Sequence, residues 1–388
     1  MLKSYEYRLY PNKEQIIMLA KHFGCNRFIY NWALAKRIEK YEKTGKTISK
    51  FELNKMITQL KKDEKTCWLQ EVNAQSLQQS IQNMETAYIN FFRSKKGFPK
   101  FKSKKSHRYS YRIPQNLKVD FENHKIFLPK IGYVNIRVDR QFIGEIKSAT
   151  VKQVPSGKYF VSILIEDGVC EPDKKELDKD KAIGIDLGLK HFAILSNGIK
   201  IENPKTLKQH LAKLKVLQKR LSKKVKGSNN RNKARIKVAK QQEKIANIRK
   251  DFLQKLSTQI INDSQIDTIC LETLNISGML KNHKLAQAIS DVSWYEFVRM
   301  LEYKANWNGK NILRIGRFEP SSKLCTCGYI NNDLTLSDRV WECPKCHTVH
   351  DRDLLASQNI KNIAFSDLNQ KYHNSGLGKS VELVEVLA

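Results

Sequence analysis

The chain has 388 residues, of which 70 are Lys or Arg and 39 are Asp or Glu, leaving a formal net charge of +31. Apolar residues make up 40%, enough to bury real cores in two or three domains. So large a positive charge argues against an enzyme of small neutral substrates and for a polyanionic partner, held in large part by counterion release.

The first ten residues, Met-Leu-Lys-Ser-Tyr-Glu-Tyr-Arg-Leu-Tyr, hold no apolar signal core. No run approaches the roughly 18 apolar residues of a membrane span, so no membrane partner is expected. Of the cysteines, Cys25, Cys67, Cys170 and Cys270 are isolated, whereas Cys325, Cys327, Cys343 and Cys346 are clustered. That usage points to a reducing cytoplasm and one metal site, not a disulfide framework.

Residues 3–10 alternate and read as a strand ended by Pro11, after which Asn12 caps a helix. Helical spacing then recurs over Lys13–His22, Asn26–Tyr41, Lys50–Lys62 and Ala74–Phe92. Residues 94–108 form a basic loop with interleaved Phe98 and Phe101. Its Lys100, Lys102, Lys104 and Lys105 are candidate phosphate contacts beside rings that can take bases. Short strands follow at Tyr109–Ile113, Leu117–Phe121, Lys125–Leu128, Tyr133–Arg137, Ile146–Pro155 and Tyr159–Glu166. The pattern predicts a small β-barrel over 1–11 and 94–169, with helices 12–93 inserted into it. Residues 170–180 read as a linker.

Two more strands lie in 181–204. Residues 204–255 then carry 18 Lys or Arg and only two acids, Glu243 and Asp251. Leu207, Leu211, Leu214, Leu217 and Leu221 step at helical spacing, as do Ile236, Ala239, Ile245 and Ile248, with a break at Lys-Gly-Ser-Asn-Asn-Arg-Asn. This predicts an antiparallel helical hairpin with a thin apolar seam. Its outer faces offer Lys215, Lys219, Arg220, Lys223, Lys224, Arg231 and Arg235 to a nucleic acid.

Four acids stand at three places where chemistry could be done. Asp186 ends the apolar run of Ala-Ile-Gly-Ile-Asp-Leu-Gly. Glu272 ends Thr-Ile-Cys-Leu-Glu. Asp351 and Asp353 stand where a helix could begin, before Leu354, Leu355 and Ile360. A metal-dependent nuclease of the RNase H type needs carboxylates from adjacent strands and one helix to converge on two metal ions flanking a scissile phosphate. Hard oxygen ligands suit Mg²⁺ or Mn²⁺ rather than Zn²⁺. The cysteines read Cys325-Thr-Cys327-Gly, then Cys343-Pro-Lys-Cys346, a spacing that predicts a closed structural Zn²⁺ site, with His347 and His350 as substitute ligands.

These segments, in this order, resemble the TnpB proteins of bacterial insertion sequences, RNA-guided DNA endonucleases related to type V CRISPR effectors. The resemblance rests on Tyr-Arg-Leu-Tyr-Pro-Asn at 7–12, Asn-Arg-Phe-Ile-Tyr-Asn-Trp at 26–32, Glu-Thr-Ala-Tyr at 85–88 and Gly-Phe-Pro-Lys-Phe at 97–101. It continues in Gly-Ile-Asp-Leu-Gly at 184–188, Ser-Asp-Val-Ser-Trp at 290–294, Pro-Ser-Ser at 320–322 and His-Asp-Arg-Asp at 350–353. It implies an α+β multidomain chain: a wedge barrel (1–11 and 94–169), an inserted helical recognition domain (12–93), and an RNase H-like RuvC domain (181–319 and 347–364) with the hairpin inserted. A zinc ribbon (320–346) and a disordered tail (365–388) complete it.

It also implies that Asp186, Glu272 and Asp353, rather than Asp351, are the metal-binding catalytic triad. The implied partners are a guide RNA from the transposon end, a double-stranded DNA target and a separate transposase. Base pairing would read the target and the protein a short adjacent motif, with Lys50, Asn54 and Gln78 in the matching segments. One departure is visible. The family usually has Asn two residues after the third acid, followed by small residues, where this chain has Leu355 and Ser357; such an Asn could orient the metal ligands. The rival readings are a guided DNA-binding repressor that does not cut, and a protein that performs or assists transposition.

Overall fold

The computed structural model describes residues 1–375 apart from 95, 108 and 336. They form two compact units: residues 1–170 with 226–240, and 171–225 with the chain from 241 onward.

The first unit opens with β1 (Leu2–Tyr10), whose alternation buries Tyr7 and Leu9. Asn12 starts α1 (Lys13–Thr44) with a reciprocal cap: its side chain accepts the Gln15 N–H at 2.8 Å, and Gln15 Oε1 accepts the Asn12 N–H at 3.0 Å. The two helices expected on either side of Gly24 are this one 32-residue helix. It ends at Gly45, in the left-handed conformation (φ 65°) that a C-terminal cap requires. Then come α2 (Lys50–Lys62), α3 (Ala74–Arg93), β2 (Tyr109–Ile113), β3 (Lys118–Asp120), β4 (Lys125–Leu128), β5 (Gly132–Arg137), β6 (Glu145–Gln153) and β7 (Tyr159–Glu166).

The strands form one antiparallel sheet in the order β2-β6-β7-β1-β5-β4-β3. This corrects the expected barrel. Among the described residues no pairing joins β2 to β3, so the sheet stays open. The helical block covers β2 instead: His22 of α1 stacks on Tyr111 at 4.9 Å, and Phe23 meets the same ring edge-on at 5.6 Å. Leu53, Leu77, Ile81 and Met84 form a second core among the helices.

The second unit contains β8 (Ala182–Leu187), β9 (His191–Leu195), β10 (Lys200–Glu202), α4 (Thr206–Ser222), α5 (Asn229–Asn262), β11 (Thr268–Glu272), α6 (Ile276–Met279), α7 (Ala286–Val292), α8 (Trp294–Trp307), β12 (Asn311–Ile315), β13 (Val340–Glu342), β14 (Val349–Asp351) and α9 (Arg352–Ser375). The basic segment is divided: residues 226–240, including the first part of α5, belong to the first unit. Of the expected tail, residues 365–375 continue α9, and 376–388 lie outside the described residues.

The main sheet runs β10-β9-β8-β11-β12. β9 is antiparallel to β8 and β10, while β8, β11 and β12 are parallel. Both faces of its centre are covered, which is why β8 and β11 read as nearly continuous apolar runs. Ile183, Ile185, Ile269 and Leu271 face Leu253 and Leu256 of α5 and Phe297, Met300 and Leu301 of α8. Cys270, Leu313 and Ile315 meet Ile360 and Ala364 of α9.

Candidate active site and zinc cluster

Gly184 sets the approach of α9 to the sheet. A Cβ there would lie 1.9 Å from the Ser357 carbonyl oxygen and 3.0 Å from the Lys361 nitrogen. Only glycine lets the helix come so close. Ser196 fixes the same residue by accepting its N–H on Oγ at 3.0 Å. Because side chains alternate along a strand, Asp186 lies on the face that Gly184 offers to α9. Ile185 pairs with Leu271, so Glu272 comes beside Asp186 at the carboxyl ends of adjacent parallel strands. Along α9, Asp353 precedes Ser357 by one turn. Two strand residues advance ~6.6 Å and one helical turn ~5.4 Å, so the spacings match.

Asp186 feels the charges of the other two carboxylates. Burial raises the Asp186 pKa first, the negative charges of Asp353 and Glu272 add to it, and Arg352 partly opposes them; the result is about 7. Burial also raises Glu272. A buried carboxylate destabilised in this way by two neighbouring charges marks a site that gains from added positive charge. Arg339, from between the cysteine pairs, supplies some of it, donating from Nη1 to both Asp353 oxygens at 3.1 and 3.2 Å. Arg352 is buried and donates to the Thr335 carbonyl at 2.6 Å and that of Asp338 at 3.3 Å. Sequence reading missed both arginines; an arginine inside a metal-ligand cluster was the available signal.

Asp351 is otherwise employed. Its Oδ1 accepts the N–H groups of Asp353 and Leu354 at 3.1 and 3.2 Å, capping α9, and its Oδ2 pairs with Lys200 at 2.6 Å. Leu355 is buried with Cys325, Trp341 and Cys343 in the small core of the ribbon. Asn359 donates to the Ser321 and Leu324 carbonyls at 2.8 and 2.6 Å, tying α9 to the chain that leads into the ribbon.

The sulfurs of Cys325, Cys327, Cys343 and Cys346 all lie within 4.8 Å of one another, the one such group of ligand atoms among the described residues. Two of the separations are 3.5 and 3.6 Å. A tetrahedron built on Zn–S bonds of ~2.3 Å needs roughly 3.8 Å, so the four thiols fit zinc. The tight first pair is accommodated by a turn at Gly328 (φ 86°), whose N–H bonds to the Cys325 carbonyl at 3.0 Å. His350 Nε2 lies 3.1 Å from Cys325 Sγ, whereas His347 points to Glu342 at 2.9 Å.

The expected nucleic-acid contacts are distributed. Lys50 donates to Gln82, one helical turn from the exposed Gln78, at 3.3 Å, and Asn54 Oδ1 is buried with no partner. Lys100, Lys104 and Lys105 are exposed, but the Lys102 ammonium sits 3.8 Å over the Tyr30 ring. Lys215, Lys219, Arg220, Lys223 and Lys224 are exposed, Arg231 and Arg235 half-buried.

Three family profiles match the chain: a helix-turn-helix domain at 1–46, a family described as probable transposase at 163–283, and a Cas12f1-like TNB domain at 294–360. A relative from Streptomyces pristinaespiralis, whose name proposes an RNA-guided DNA endonuclease, is 39% identical over 92% of this chain and 88% of its own. Escherichia coli InsQ, whose name proposes the same activity, is 33% identical over 92% and 91%. A Cas12f1 chain, solved as a complex with sgRNA and target DNA, shares the fold at a TM-score of 0.57, with 15% identity over 93% of this chain and 99% of that one. Identity at that level across nearly the whole length of both curated relatives places the chain in the TnpB family of insertion-sequence proteins.

Proposed function

We propose that the chain is an RNA-guided DNA endonuclease of an insertion sequence that hydrolyses target DNA, beside a short motif, at Asp186, Glu272 and Asp353. The observation that supports this reading is that Asp186 and Glu272 lie at the ends of adjacent parallel strands while a helix clamped at Gly184 brings the charge of Asp353 to bear on Asp186. The order β10-β9-β8-β11-β12 is the one an RNase H-type domain would have. The net charge of +31 and the names of the relatives supply the nucleic-acid substrate.

The three carboxylates are hard oxygen donors, and Asp186 is destabilised as an anion by the other two, which fits Mg²⁺ or Mn²⁺. Such ions, when bound, supply activation of water and stabilisation of the leaving oxygen. The chain itself contributes the rest. Asp186 must shed its proton to hold a metal ion, so its raised pKa sets protons in competition with the metal as the pH falls below about 7. Arg339 keeps a guanidinium at Asp353, where it can also meet a backbone phosphate. The zinc ribbon, a closed tetrathiolate, has no open position for substrate and is structural.

The test is to co-purify the chain with the transcript of its own locus. The complex then meets Mg²⁺ and a plasmid library carrying a guide-matched target beside randomised flanks. Depletion of one flank motif by wild type, and none by Asp186→Ala, is the expected result. Target bound but uncut by wild type would replace this reading with that of a guided repressor. Cutting by Asp186→Ala would overturn the site.

A further inference from the structure

Gly24 lies in the middle of α1, where glycine costs helix stability relative to alanine. Its φ is not positive, and a Cβ added to it would meet nothing within 4 Å. Neither backbone strain nor internal packing calls for a glycine there. It is instead the shared floor of two adjoining hollows of about 400 and 490 Å³. Arg27 and Phe28 line both, Trp68 closes one end, and Trp32 and Phe101 line the other.

The walls have the composition of a base-stacking site. Phe101 is 57% exposed and Trp68 36%. Phe28 and Trp68 hold each other edge-on at 5.0 Å, with the Trp68 indole N–H bonded to the Lys65 carbonyl at 3.0 Å. The loop bearing Phe101 is pinned to α1, because Asn31 accepts the Lys102 N–H at 2.7 Å and donates to its carbonyl at 2.9 Å. The rings are therefore preformed. Lys21 is occupied by Glu71. Arg27 has no ion pair or side-chain hydrogen bond among the described residues, leaving one cation for a phosphate or for stacking.

We propose that this groove takes an unpaired nucleotide of the guide RNA, its base stacked between the exposed rings and its phosphate on Arg27. Unpaired bases splayed onto aromatic and guanidinium faces are the usual means of reading single-stranded RNA, and a net charge of +31 suits that occupant. The inference rests on the RNA-binding part of the proposed function but not on cleavage.

The test uses the full chain and a single-stranded oligoadenylate of about 12 nucleotides with a central 2-aminopurine, whose fluorescence falls on stacking. Gly24→Leu fills the floor and, with open space above Gly24 and a better helix former in place, keeps the wild-type melting temperature or raises it. Trp32→Ala removes a wall. Each variant is expected to lose roughly tenfold in RNA affinity, about one stacked base, along with the quenching, while binding of a duplex of the same length stays unchanged. Unaltered affinity and quenching in Gly24→Leu would overturn the groove. Equal or tighter binding of a single-stranded oligodeoxyadenylate of the same length, with the same sensitivity to Gly24→Leu, would overturn its assignment to RNA. Guided cleavage is scored separately, so a wild type that fails to cut leaves the groove test intact.

Discussion

Replacing Gly184 by alanine probes the placement of the candidate active site without touching any carboxylate. The added Cβ would sit 1.9 Å from the Ser357 carbonyl oxygen, whereas real Cβ contacts essentially never fall below 3.0 Å. The helix or the strand must therefore yield by at least about 1.1 Å, the difference between those two distances. The obstacle is backbone, so no rotamer change relieves it. Overpacking of this kind costs ~1–3 kcal/mol, which a two-unit protein survives with a lower melting temperature. Asp353 precedes the obstructed turn by one, and a displacement of ~1 Å at reacting groups costs on the order of 100-fold in rate. The assay is single-turnover cleavage of a guide-matched target at saturating complex, with guide-RNA affinity measured in parallel. The expected result is a rate down about 100-fold with RNA binding retained. Cleavage at the wild-type rate, in a protein whose melting temperature has fallen, would refute the claim that α9 places the third carboxylate through its contact with Gly184.

Further predictions follow from the same geometry. Without metal, the raised Asp186 pKa means that the folded state holds a proton the unfolded chain has released, so stability should fall as pH rises from about 4 to about 7. Asp186→Asn should flatten that slope to the part Glu272 contributes in thermal melts with chelator present, and added Mg²⁺ should stabilise wild type but not the variant at pH 8. Neutralising several of the exposed Lys215, Lys219, Arg220, Lys223 and Lys224 should flatten the salt dependence of RNA binding by about 0.7 slope unit per lost phosphate contact on a single strand; an unchanged slope in filter binding would take α4 out of the interface. Cys343→Ser should lower bound zinc, counted by elemental analysis, and slow cleavage about 100-fold while guide-RNA affinity holds. A variant that has lost its zinc and still cuts at full rate would separate the ribbon from the site.

Local signals in the sequence carried much of this fold. The ranges of β2, β4, β7 and α2 follow directly from alternation, helical spacing and turn residues. Asp186 and Glu272 stood out because each ends an apolar run; either alone could be a turn or cap residue, and it is their register on adjacent parallel strands that pairs them. The differences have physical causes. Gly24 reads as a break, yet a single glycine costs a helix too little to end it when Phe23, Cys25 and Asn26 on either side are buried. Whether a row of short strands closes into a barrel depends on what covers its edge, and the covering of β2 by His22 and Phe23 involves residues more than 80 positions away in the chain. Arg339 and Arg352 were passed over because in so basic a chain an arginine beside the cysteines is a weak signal; their bonds to Asp353 and to the Thr335 and Asp338 carbonyls distinguish them.

The departure at Leu355 takes on a different sense in this setting. An Asn there would suit a role in orienting metal ligands, but this position faces the core formed by Cys325, Trp341 and Cys343, where an unpaired amide would be costly. The chain places its third carboxylate from two sides instead. On the sheet side, Gly184 fixes the height of α9 above β8. On the ribbon side, four contacts bear on the first turns of the same helix: Leu355 in the ribbon core, Asn359 on the Ser321 and Leu324 carbonyls, Arg352 on those of Thr335 and Asp338, and Arg339 on Asp353 itself. His350, tilted against the Trp341 ring at 4.9 Å and set against Cys325, leads directly into the Asp351 cap. Under the proposed function, a cysteine cluster outside the chemistry would thus govern its rate, because the helix carrying Asp353 follows directly on the segment that holds the four cysteines.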